Sequence, residues 1–313
     1  MTSVHIVRGL RAFRRPQMRV VVTVGVFDGV HRAHQRLIRS TVQMARRLKA
    51  VSVAITFDPD PQVVLQPART EPALMSLDER LIRLRQLGVD VIWVIPFTKR
   101  FARMTAEQFV RRILLERLNA TALIVGETFV FGRNRRGDMS TLQAVGSRHG
   151  MRVIPMPQVT EAGQPISSSR VRRLIACGKL AMAKRLLGRP PSLFGVVVRG
   201  AGRGARLGFP TANIRLHPQV LPPPGVYAVL LQHGARRVGR GVMNLGVRPT
   251  FGPGPLTCEV HVLGFSGRLV NHSVSVSLLA RLRHERCFPS PEALRRQVRL
   301  DIIRARQLLS RLS

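Results

Sequence analysis

The spacing of apolar segments changes once along these 313 residues, and that change restricts the chain to two architectures joined in series. Up to Leu187, short apolar runs at residues 20–24, 51–57, 91–96, 122–126 and 152–155 alternate with helical spacing at 35–48, 77–87, 105–118 and 141–150. Runs of that length between turns read as buried strands, and strand alternating with helix predicts a parallel sheet covered on both faces. Residues 4–10 can supply a further first strand. The helix ending near Leu187 meets Gly188-Arg189-Pro190-Pro191, a stop followed by a stiff connection. Beyond it, strands recur at 194–199, 226–232, 237–245, 257–263 and 273–282 with Gly and Pro turns between them, which predicts an antiparallel barrel or sandwich. A last helix over residues 291–309 carries Leu294, Val298, Ile302 and Ala305 on one face. The expected domains are 1–187 and 188–313.

Ligands of open parallel sheets bind beyond the carboxyl ends of the strands. There, after residue 24, stands Gly25-Val26-Phe27-Asp28-Gly29-Val30-His31-Arg32-Ala33-His34. A glycine-containing turn between strand and helix presents free N–H groups and a positive helix end, which suit phosphate. His31 and His34 add donors for charge developing on a phosphoryl oxygen. Packing within one helical turn and metal binding are the other uses of two histidines three apart. A second polar stretch, Ile166-Ser167-Ser168-Ser169-Arg170-Val171-Arg172, can cap a helix with its hydroxyls and fork Arg170 or Arg172 onto phosphate oxygens.

In the second half, Gly200-Ala201-Gly202-Arg203-Gly204 leads to Gly208-Phe209-Pro210-Thr211-Ala212-Asn213. Glycines there let the backbone close over a polyphosphate, and Thr211 with Asn213 offers oxygens suited to Mg²⁺. Downstream, Cys258-Glu259-Val260-His261 alternates along a strand, so Glu259 and His261 share a face. A carboxylate at that position either takes a proton from a hydroxyl nucleophile or is an ordinary solvent-facing glutamate.

The charge of 51 basic against 16 acidic residues, +35, attracts polyanions in general. The arginines are scattered rather than gathered in a stripe, and one Trp and one Tyr leave few platforms for base stacking, so no specific nucleic-acid partner is expected. No run reaches a membrane-spanning length. Cys177, Cys258 and Cys287 have no paired metal spacing and suit a reducing cytoplasm.

Taken in order, GVFDGVHRAH, FDPDP, VGETFVFGRNRRGD, ISSSRVR, LGFPTANI, GVY, GVRPTFG, CEVH and RHERCF resemble the bacterial bifunctional riboflavin kinase/FMN adenylyltransferase (FAD synthetase) family from about residue 6 to 309. The resemblance implies a Rossmann-like nucleotidyltransferase domain followed by a six-stranded Greek-key riboflavin-kinase barrel with a C-terminal helix. It implies that riboflavin, FMN and ATP are bound, with Mg²⁺ accompanying ATP, in a cytoplasmic enzyme. In the kinase, ATP is then expected at Gly202, Gly204 and Thr211, the metal at Thr211 and Asn213, and Glu259 as the base on the ribityl 5′-hydroxyl. In the adenylyltransferase, Gly25, Phe27, Asp28, Gly29, Ser167, Ser168 and Ser169 are expected to hold ATP. His31 and His34 would act at the α-phosphate and Arg170 on the departing phosphates. Flavin neighbours are expected among Phe57, Pro59, Phe129 and Phe131, and in the kinase among Arg248, Arg283 and Glu285.

Several positions depart from the family pattern. Ala33 replaces the glycine of HxGH, Asp60 a histidine of FDPHP, Thr128 an Asp or Asn, and Ser169 the last threonine of ISST. Ala205, Pro191 and Gly264 replace an arginine, a tyrosine and an aspartate. A kinase with weakened adenylation and, in a different class, a basic nucleic-acid-binding protein on the same scaffold are the competing readings.

Overall fold

The computed structural model describes residues 4–13, 16–234, 236–247 and 256–310. The chain divides into two compact units, Met1–Glu71 with Leu77–Ser168, and Pro72–Ser76 with Ser169–Ser313. The expected boundary at 187/188 follows the change in secondary structure, whereas packing divides the chain earlier.

In the first unit, six parallel strands lie in the order β1-β4-β3-β2-β5-β6. They are β1 (His5–Arg8), β2 (Val20–Val24), β3 (Val51–Asp58), β4 (Val91–Pro96), β5 (Ala120–Gly126) and β6 (Arg152–Met156). β2 is buried along its whole length, as a strand covered on both faces must be. Helices α1 (Arg32–Arg47), α2 (Pro61–Leu65), α3 (Leu77–Gln86), α4 (Lys99–Ala102), α5 (Ala106–Phe109) and α6 (Met139–Arg148) connect them. The helix expected over 105–118 forms as α5 followed by a π-helical stretch, Val110–Arg117. From β2 the chain winds one way to β3 and β4, then returns to β5 and β6 on the other side. The turn after β2 therefore occupies the topological switch point, where such sheets bind ligands. α1 holds its end of the sheet through Leu37, Ile38, Val42 and Ala45, the larger of which contribute roughly 1.5–3 kcal/mol each when fully buried.

A two-stranded hairpin, β7 (Thr160–Glu161) and β8 (Gln164–Pro165), precedes α7 (Ser168–Ala176) and α8 (Leu180–Leu187). The second unit is a closed antiparallel barrel ordered β10-β13-β12-β11-β14-β9. Its strands are β9 (Ser192–Val198), β10 (Ala212–Leu216), β11 (Gly225–His233), β12 (Arg236–Gly246), β13 (Thr257–Val262) and β14 (Ser273–His284). A short helix α9 (Arg203–Arg206) joins β9 to β10, and α10 (Pro291–Ser310) closes the chain and packs on β11, β12 and β14. Of the barrel and the sandwich left open by the strand pattern, the barrel forms. β10, which overlaps only the end of the glycine-loop stretch at Ala212 and Asn213, is not predicted from the sequence, because only Ile214 of its five residues is buried and little alternation shows.

The barrel interior is filled by Leu193, Val197, Tyr227, Met243, Val260 and neighbouring side chains. Ligand sites are therefore outside it, and β13 shows how. Cys258, Val260 and Val262 are buried while Glu259 and His261 face the other way.

Candidate active sites

In the first unit, the backbone after β2 takes positive φ at Phe27 (56°), Gly29 (80°) and Val30 (39°). Glycine accepts this freely, whereas a β-branched residue is strained there, a state that persists only where the surroundings enforce it. Phe27 and Val30 are both fully buried, which supplies that enforcement. His31 then caps α1, its Nδ1 accepting the His34 backbone N–H at 3.4 Å. This cap starts the helix three residues before the expected Gln35.

The His31 and His34 rings stack with centroids 3.6 Å apart, and Phe27 meets His34 edge-on at 5.3 Å. Burial, the neighbouring His31 and the Arg80 cation hold the His34 pKa well below the usual imidazole value, so the ring is neutral at pH 7. Ser168 Oγ donates to the Asp28 carbonyl at 2.9 Å, binding the start of α7 to the turn. Ser167 is exposed, and Ser169 and Arg170 follow Ser168 in the first turn of α7.

Arg80, on α3, was not among the residues expected from sequence. Its Nη1 donates to the carbonyls of Val26 (2.8 Å) and Phe57 (3.0 Å) and to Thr56 Oγ1 (3.1 Å). The available signal was an arginine inside the apolar stripe Leu77, Arg80, Leu81, Leu84 of an amphipathic helix.

Phe57, Phe97, Phe101, Phe109, Phe131 and Phe129 form an unbroken run of ring contacts with centroids 5.5–6.4 Å apart. Phe57 and Phe131 are each 9% exposed and belong to the core. Of the expected flavin neighbours in this unit, half-buried Phe129 and exposed Pro59 offer more surface to a ligand.

In the second unit, β10, β13 and β12 bring three polar residues into one register. Glu259 lies opposite Asn213 on one side and Asn244 on the other. Thr211 Oγ1 donates to Glu259 Oε2 at 3.4 Å. Thr211, Glu259 and Asn244 border a cavity of about 170 Å³ between the outer face of the barrel and α10, lined also by Gly204, Phe209, Val226, Val242, His261 and Leu294. Arg283 and Glu285 reach the same cavity. Arg283 is committed to a fork onto buried Asp301, with Nε to the two carboxylate oxygens at 3.1 and 3.0 Å and Nη2 at 2.9 Å. Glu285 Oε2 accepts the Val247 N–H at 3.3 Å. Arg248 lies outside the described residues. Burial and the Glu259 carboxylate push the Cys258 thiol up to about 12, which keeps it protonated and non-nucleophilic.

Among the described residues no cluster of three His, Cys, Asp or Glu side chains can cage a metal ion. The oxygens of Thr211, Asn213 and Glu259 fit instead a hard divalent cation that arrives on a nucleotide and keeps most of its ligands from phosphate and water.

The approach of Asn213 to the glycine loop is close: a Cβ on Gly200 would stand 2.1 Å from Asn213 Nδ2. Gly200→Ala should therefore displace the Asn213 amide with little change in thermal midpoint. Steady-state assay of FMN formation should show at least a tenfold loss, on the order expected when a polar group at a site shifts by about 1 Å.

Two family models match in series, FAD synthetase over residues 14–170 and riboflavin kinase over 187–309. The bifunctional riboflavin kinase/FMN adenylyltransferase of Pseudomonas fluorescens is 37% identical over 305 residues, covering 97% of each chain. That of Escherichia coli K12 is 35% identical over 303 residues, covering 96% of this chain and 97% of the other. The chain belongs to the bifunctional riboflavin kinase/FMN adenylyltransferase family. A solved Streptococcus pneumoniae structure described as a macrolide-efflux protein is 29% identical with a TM-score of 0.84, over 97% of this chain and 99% of that one. Among the described residues here, no helix is long and apolar enough to cross a membrane.

Against the family pattern, Ala33 lies within the first turn of α1, where a methyl costs no backbone strain. Asp60 caps α2 by accepting the Gln62 N–H at 2.8 Å. Nothing in the structure explains Thr128.

Proposed function

We propose that the second unit transfers the γ-phosphoryl group of ATP to the ribityl 5′-hydroxyl of riboflavin, giving FMN and ADP. In the same reading the first unit joins the FMN phosphate to the α-phosphorus of a second ATP, giving FAD and pyrophosphate. The observation that carries the kinase half is Glu259 beside Thr211 and Asn244 on the rim of one cavity, with Asn213 in register with Glu259 on the neighbouring strand. Glu259 Oε accepts the hydroxyl proton as the oxygen attacks, and Thr211 and Asn213 orient the nucleotide. The cation accompanying ATP, which this reading takes to be Mg²⁺, neutralises charge on the phosphates. Positioning and charge neutralisation dominate such a transfer, so the loop and the two polar side chains matter as much as the base.

The adenylyltransferase half is supported by the strained turn at the switch point, with His31 capping α1 and a neutral His34 stacked on it. Hydrogen bonds from the two rings would stabilise the charge developing at the α-phosphate, while Ser168, bonded to the Asp28 carbonyl, would meet the departing pyrophosphate. The three cysteines, all unpaired, fit a cytoplasmic setting.

Product analysis tests both halves. Riboflavin with ATP and Mg²⁺ should yield FMN and then FAD, and FMN supplied alone should yield FAD. Accumulation of FMN without FAD would remove the adenylyltransferase reading, and failure to form FMN would remove the kinase reading.

A further inference from the structure

Helices that cover a sheet turn their apolar stripe inward, yet α3 carries Arg80 in that stripe and buries it to 6% exposure. A buried guanidinium is costly unless its surroundings use it. Here the use is specific. Val26 belongs to the turn that follows β2 and leads to His31 and His34. Thr56 and Phe57 belong to the end of β3, next to Pro59. One nitrogen of Arg80 bridges the two segments through its bonds to Val26, Thr56 and Phe57, and Thr56 Oγ1 reinforces the bridge by donating to the Val26 carbonyl at 3.0 Å. The carboxylates of Asp28, Asp58 and Asp60 offset part of the charge. Arg80 Nε is nevertheless buried without a hydrogen-bond partner among the described residues, and so is His34 Nδ1. Unsatisfied buried donors and acceptors are rare in folded proteins, and a catalytic role is one of the recognised reasons for them.

We propose that Arg80 is a positioning residue for adenylyl transfer, locking the histidine turn to the end of β3 and supplying a fixed buried cation beside His34. The inference rests on the adenylyltransferase reading above. The groups acting on His34 are the stacked His31 ring and Arg80, and those acting on Arg80 are the three aspartates. With the cation in place, His34 stays neutral and presents a hydrogen bond, while the permanent positive charge comes from Arg80. Removing that charge raises the His34 pKa, because a nearby cation disfavours the imidazolium form.

The test uses the full chain with Arg80→Gln and Arg80→Lys. Arg80→Gln should lower kcat for FAD formation from FMN about 10- to 100-fold with a much smaller change in KM. FMN formation from riboflavin should be unchanged. The His34 ring, followed by NMR and assigned with a His34→Gln control, should titrate at higher pH than in the unsubstituted protein. Arg80→Lys keeps the cation and loses the planar donor group, so His34 should titrate as in the unsubstituted protein while FAD formation falls by a smaller factor. An Arg80→Gln protein with unchanged FAD formation, or with unchanged His34 titration, overturns the inference. Should Arg80→Gln fail to fold, Arg80→Lys decides, and an unchanged rate of FAD formation there overturns it. Failure of the underlying reading is distinct, since the unsubstituted protein would then make no FAD.

Discussion

Glu259→Gln should abolish FMN formation from riboflavin while leaving FAD formation from supplied FMN intact. The substitution keeps the shape of the side chain and an oxygen able to accept from Thr211 Oγ1, so the cavity rim stays in place. What it removes is the capacity to take a proton from the attacking hydroxyl, a loss of about 10²–10⁴-fold in kcat for a general base. Stability should change little, because Glu259 is half-buried on the outer face of β13 while Cys258 and Val260 anchor the strand from inside. Separate assays with riboflavin and with FMN read the two activities from one preparation. A parallel fall of both would show that the two sites are not separate in the way assigned here.

The largest effect on stability is expected at Asp301. Its carboxylate is 1% exposed, takes the fork of Arg283, and accepts the Gln297 side-chain amide at 2.8 Å. Gln297 in turn accepts from Arg286 Nη2. The Arg283 and Arg286 guanidinium groups lie 5.5 and 4.9 Å from the Phe288 ring, so one buried carboxylate organises the segment that borders the cavity. Asp301→Ala leaves Arg283 without its counter-ion, and breaking a buried pair from one side costs about 3–5 kcal/mol. For a unit of this size the thermal midpoint should drop by roughly 10 °C or more. FMN formation should fall with it, because Arg283 is no longer held at the cavity. The double replacement Asp301→Leu with Arg283→Met should recover most of the lost stability, since apolar side chains of similar volume substitute well for a buried pair. It should not recover the rate. Differential scanning calorimetry with FMN assays checks both statements, and an Asp301→Ala midpoint within a degree of the unsubstituted protein would show the pair to be dispensable.

Both helices that contribute these buried ionic groups were legible as helices. Their apolar spacing placed α3 and α10 to within a residue or two. The histidine turn, the serine run and the glycine loop were equally legible, since each is a short local pattern with its own backbone requirement. The polar members of the helical stripes were not. Arg80 reads as one more arginine in a chain of +35, and Asp301 as one acid in a basic helix, until the face each occupies is known. Arg283, expected against flavin, does line the cavity, but nothing in the sequence signalled that Asp301 holds it there. Phe57 and Phe131 were expected as flavin neighbours and are largely taken up by the aromatic core.

From sequence alone came the order of the two modules, the parallel sheet, the antiparallel strands of the second module with its last helix, and the residues able to carry phosphate chemistry. Period, turn chemistry and motif spacing are properties of neighbouring residues, and they survive without tertiary contacts. Tertiary structure decided which side chains meet. β10 aligns Asn213 with Glu259, α3 turns Arg80 inward beside the histidines, and α10 delivers Asp301 to Arg283. Each of these joins segments far apart in the chain, and the stability of a buried charge depends on the partner that folding brings to it.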